Sequence, residues 1–143
     1  MTDVSAEVLT AVVERDFPHP PEKLWRALTQ PHLIEEWLMK NDFAPVVGHR
    51  FNLRGDWGGV LDCEVLVVEP ETTLAYTWNF DHDDPAYALK SVVTFTLAPA
   101  GEGTRLRIEQ SGFRPGQKQA YGGAYAGWRK FFDNLDQLAA RLD

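Results

Sequence analysis

The sequence predicts an α+β domain: a curved antiparallel sheet with its apolar face covered by a long C-terminal helix, and two short helices after the first strand. Three observations lead there. Apolar and polar residues alternate with period two through the middle of the chain. A helical apolar stripe fills the C-terminal stretch from about Gln117 to Leu142. Between the first strand and the hairpins lie two proline-led segments with helical spacing.

In chain order, the first strand is expected from about Glu7 to Phe17, where Ala11-Val12-Val13 is apolar and partly β-branched. The turn Pro18-His19-Pro20-Pro21 follows. Pro21 suits the first position of a helix, because its missing N–H would have no partner there. That helix runs to about Leu28, with Leu24, Trp25 and Leu28 on one side. Pro31 disfavours helix at Gln30 and separates it from a second short helix bearing Leu33, Ile34, Trp37 and Leu38.

The alternating runs come next. Phe51 and Leu53 form the first apolar set, and Leu61, Cys63, Val65 and Val67 the second. Leu74, Tyr76, Trp78 and Phe80 form the third, Val93, Phe95 and Leu97 the fourth, and Leu106, Ile108 and Gln110 the fifth. Turn residues separate them, at Gly58-Gly59, Glu69-Pro70-Glu71, Asp81 to Pro85 and Gly101-Glu102-Gly103. The last helix carries its stripe on Trp128, Phe131, Phe132, Leu135, Leu138 and Leu142. Its first half holds Gly122, Gly123 and Gly127, each unfavourable in a helix by about 1 kcal/mol relative to alanine. Either the backbone approaches a neighbour or ligand closely there, or the helix starts only near Tyr125.

A length of 143 residues fits one domain with a real core, spanning 1–143 without a linker or repeat. The hydrophobic fraction of 44% is that of a globular chain. A formal net charge of −7 argues against nucleic acid and against anionic membranes as partners. The single cysteine forbids an internal disulfide, and Met1 to Ser5 lacks the basic-then-apolar pattern of a signal peptide. A cytoplasmic location is therefore expected.

Several segments together resemble one family. They are Phe17 to Thr29, with Pro20-Pro21-Glu22-Lys23-Leu24-Trp25, and Gln30-Pro31-His32-Leu33-Ile34-Glu35-Glu36-Trp37. To these add Val47-Gly48-His49-Arg50-Phe51, Leu74-Ala75-Tyr76-Thr77-Trp78, Gln110-Ser111-Gly112-Phe113 and Gly127-Trp128. In order and spacing they resemble the activator of heat-shock-protein ATPase homologue type, within the START-like (SRPBCC) helix-grip superfamily. The resemblance implies a two-helix wedge, a curved sheet of six to seven strands and a C-terminal helix gripping it. It also implies a cavity for hydrophobic small molecules in many members, and a chaperone partner in a stress-response setting. The eukaryotic chaperone activators carry a further N-terminal domain for which this chain leaves no room. Members often have histidine where this chain has Gln110.

The candidate site is the concave side of the sheet. Trp37, Phe51, Leu53, Trp78, Phe80, Phe95, Tyr125 and Trp128 are expected to converge there, with Gln110, Tyr76 and Cys63 as the few polar groups. Aromatics at these spacings equally suit a solid core. Gln110 could orient a ligand's polar group or simply bond backbone or water near its strand end. Cys63, between Asp62 and Glu64, is expected to be unreactive. His82, in Asp81-His82-Asp83-Asp84, reads as a solvated loop rather than a metal site, and surface roles suffice for His19, His32 and His49. No nucleophile elbow, P-loop or dinucleotide fingerprint is present, so no catalytic residue, metal or cofactor is assigned. The expected function is binding of a hydrophobic or aromatic small molecule. A co-chaperone-like interaction module is the alternative, and cyclase or hydratase chemistry would rest on fold analogy. The sequence does not set an oligomeric state.

Overall fold

A computed structural model describes residues 8–142 apart from 57 and 86. The expected start of the first strand at Glu7 lies outside the described residues. Strand β1 (Leu9–Phe17) leads through the proline turn into α1 (Pro21–Thr29) and α2 (Pro31–Trp37). Pro21 and Pro31 each occupy the opening turn of their helix, as their lack of an N–H favours. The indole N–H of Trp37 donates to the Ala27 carbonyl at 2.8 Å and locks the two helices together.

The strands that follow are β2 (Lys40–Asn41), β3 (Arg50–Arg54), β4 (Val60–Glu69), β5 (Thr73–Phe80), β6 (Leu89–Ala100) and β7 (Gly103–Phe113). The sheet order is β1-β7-β6-β5-β4-β3-β2, all antiparallel. The chain thus crosses from one sheet edge to the other through α1 and α2, then returns hairpin by hairpin until β7 pairs with β1. Helix α3 (Lys118–Arg141) packs its stripe on the concave face, with Trp128, Phe132, Leu135 and Leu138 buried. It runs unbroken through Gly122, Gly123 and Gly127, so the helix does not begin at Tyr125. Among the described residues no helix is long and apolar enough to cross a membrane.

Two local readings need correction. Val67 is out of phase, because the β4–β5 register shifts between Val65 and Val67. After that irregularity Val68, not Val67, packs against the core. His19 is not a surface residue: it is 8% exposed, with Nε2 2.9 Å from Asp136 Oδ1 on α3. Its carbonyl also accepts from the Thr104 hydroxyl at 2.8 Å. A buried imidazole needs such partners, and here they tie the proline turn to both α3 and β7.

Candidate functional site

The second half of α3 closes on the sheet, while the first half meets it through Tyr121, whose ring packs on Phe113 at 5.6 Å, and stands off elsewhere. In the second half Phe132 packs edge-on against Phe17 with ring centres 5.7 Å apart, which seals that end. Toward the other end a cleft of about 180 Å³ opens between helix and sheet. Trp78, Leu89, Gln110 and Phe113 form its sheet side. Ala120, Gly123, Ala124 and Gly127 form its helix side, with Trp128 and Phe131 at its inner end. The four small residues recur at helical spacing, so one face of α3 presents almost no side-chain volume. A Cβ placed on Gly123 or Gly127 would meet no atom within 4 Å.

Trp128 closes the inner end. Its ring lies 5.2 Å from Trp78 and 5.6 Å from Phe95, and it is 2% exposed. A chain of hydrogen bonds runs through the polar residues beside it. Trp128 Nε1–H donates to Gln110 Oε1 at 2.8 Å, and Gln110 Nε2–H donates to Ser91 Oγ at 3.1 Å. The Ser91 hydroxyl then donates to the Trp78 carbonyl at 2.7 Å. An indole N–H can only donate, so it fixes which end of the Gln110 amide faces it.

The structure divides the residues expected to converge. Trp78, Gln110 and Trp128 line the cleft. Trp37, Phe51, Leu53, Tyr76 and Phe95 belong to the packed core. There Phe51 and Tyr76 meet at 5.1 Å, and Phe95 meets Trp37 at 6.3 Å. Phe43, not anticipated, completes that aromatic cluster 5.1 Å from Phe51. Phe80 is half-buried at the sheet end, 6.0 Å from the His82 ring. Tyr125 lies on the flank of α3, its hydroxyl 3.2 Å from that of Tyr121, which reaches the Thr10 carbonyl on β1. Leu89, Ser91 and Phe113 were missed. Ser91 was visible in principle, since it shares the inward phase of Val93, Phe95 and Leu97 on β6.

Cys63 sits away from the cleft and is 5% exposed. Burial, then the charges of Asp62 and Asp42, push its thiol up to about 12. Only the thiolate attacks alkylating reagents, so at pH 8 the folded chain should react roughly a thousandfold more slowly than the urea-unfolded chain. Equal rates in the two states would show an accessible, ionisable thiol. Among the described residues no group of three or more His, Cys, Asp or Glu side chains could hold a metal ion. His82 Nδ1 instead accepts the Asp84 backbone N–H at 2.9 Å.

Residues 18–140 match the family model for activator of Hsp90 ATPase homolog 1-like protein. The chain belongs to that family. Its START-like helix-grip architecture is shared by solved relatives. The crystal structure of protein MLL2253 from Mesorhizobium loti is 71% identical, with a TM-score of 0.92 over 94% of this chain and 99% of that one. The solution structure of protein BH1534 from Bacillus halodurans is 27% identical, with a TM-score of 0.76 over 92% of this chain and 96% of that one. The Aha1 dimer from Colwellia psychrerythraea is 22% identical, with a TM-score of 0.75 over 90% of this chain and 93% of that one, and shares the fold. No curated protein matches the chain.

Proposed function

We propose that this family member is a small-molecule-binding domain that takes up a hydrophobic or aromatic guest in the cleft under the first half of α3. The observation that supports this most is the unfilled face of the helix. Gly123 and Gly127 each cost helix stability, yet neither is required by a close backbone approach, since open space lies where a side chain would be. Gly123 is exposed and Gly127 half-buried, so this space lies at the mouth of the cleft and is reached from solvent. An apolar cleft left open suits an apolar guest. The chaperone-linked reading rests on the family description alone, whereas the ligand reading has a cavity behind it.

An apolar fluorescent probe should bind the native chain in a one-to-one complex. Gly123→Leu should weaken that binding by about tenfold or more, because the new side chain occupies the cleft. The same substitution should leave stability unchanged or raise it by about 1 kcal/mol, because leucine is the better helix former. Loss of binding without loss of stability separates a filled site from a damaged fold. Probe binding only to partly unfolded chain, or equal binding by Gly123→Leu, would overturn the reading.

A further inference from the structure

We infer that the cleft selects neutral guests carrying one hydrogen-bond acceptor, of the aryl ketone type, and rejects ionised ones of the same shape. This rests on the ligand reading above and adds the chemistry of the guest. Among the described residues, none of the side chains lining the cleft is ionisable. An anion or a cation entering it would lose water and find no counter-charge, which a buried ion does not tolerate.

The polar groups at the cleft are biased toward donors. The Gln110 amide is 3% exposed and its orientation is set by the Trp128 N–H. Of its two N–H protons, one is used by Ser91 Oγ and the other has no acceptor among the described residues. Among the described residues no acceptor engages the Trp78 indole N–H either. The bond chain from Trp128 through Gln110 and Ser91 to the Trp78 carbonyl uses up the Ser91 hydroxyl proton. A guest carbonyl reaching these groups would find unused donors, whereas a guest hydroxyl could accept from the same donors but would have little but the second lone pair of Gln110 Oε1 for its own proton. The volume, about 180 Å³, is suited to one aromatic ring with a short substituent; an apolar cavity of about 150 Å³ holds benzene.

Acetophenone, ethylbenzene and benzoate test this by displacing the fluorescent probe from the purified chain at pH 7. Acetophenone and ethylbenzene should both displace it, and benzoate should be weaker than acetophenone by about a hundredfold. The carbonyl stretch of bound 13C-labelled acetophenone should fall below its position in hexane, as a hydrogen-bonded ketone requires. In Gln110→Leu the affinity ratio of acetophenone to ethylbenzene should drop by about tenfold. The benzoate and infrared measurements use the unaltered chain, so they stand even if Gln110→Leu does not fold. Benzoate binding within about tenfold of acetophenone, or a carbonyl band at its hexane position, overturns the inference while the ligand reading survives. If the three compounds all fail to displace the probe, the ligand reading fails and the inference falls with it.

Discussion

Replacing Trp128 with alanine should lower the free energy of unfolding by about 3–5 kcal/mol, read from urea denaturation. The indole is 2% exposed and touches aromatic rings on several sides. Trp78 lies at 5.2 Å, Phe95 and Phe131 at 5.6 Å each, and Phe132 at 6.4 Å. Removing it loses that contact area and also strands Gln110 Oε1, which then has no donor from the helix. Trp128→Phe separates the two effects, because it keeps much of the packing and loses only the N–H. It should cost about 1–2 kcal/mol, the range for one buried polar group left without its partner. A loss below about 1 kcal/mol for the alanine variant would show that the helix–sheet junction is held elsewhere.

The sheet was legible because each strand repeats its inward residue often enough to be counted. Leu74, Tyr76 and Trp78 all point inward as their spacing requires, and so do Leu106, Ile108 and Gln110. The two-residue strand β2 has no period to detect, and its place follows from tertiary contacts around Asn41 and Phe43. His19 looked like a turn residue because the feature that buries it, Asp136, lies more than a hundred positions later. The glycines of α3 read as a close backbone approach or a late helix start, and neither holds: the helix runs through all three, and a Cβ on any of them would meet no neighbour within 4 Å. Which strand residues face the cleft was harder to read, because that depends on where each strand ends rather than on its phase. Phe95 is inward but packs behind Trp128, and Phe80 turns toward the loop at His82. Leu89 and Phe113, at the very ends of β6 and β7, take the positions at the cleft.

Phe113 reaches the cleft only because β7 breaks its own alternation, and this makes Gly112→Ala the other substitution with a large expected effect. Gln110 and Phe113 are three residues apart, so a regular strand would send them to opposite faces. Both are buried, at 3% and 1% exposure. The parity changes at Gly112. Thr10 pairs with Ser111 and Leu9 with Phe113, which leaves Gly112 as the extra residue of a bulge. Its φ is +131°, in a region that side chains rarely adopt, and an added Cβ would lie 2.3 Å from the Lys90 carbonyl oxygen and 2.9 Å from Ser91 Cα. Both neighbours are backbone atoms of β6, so neither can swing aside. Alanine at this position should cost about 3 kcal/mol or more in urea denaturation. If the chain relieves the clash by straightening the bulge, Phe113 leaves the cleft and Ser91 shifts under Gln110, so probe binding should weaken as well. Gly122→Ala is the matched comparison. There a Cβ meets no atom within 4 Å. Alanine is the better helix former, so stability should rise by about 0.5–1 kcal/mol with probe binding unchanged. If the two alanines shift stability equally, the bulge at Gly112 does not hold the floor of the cleft.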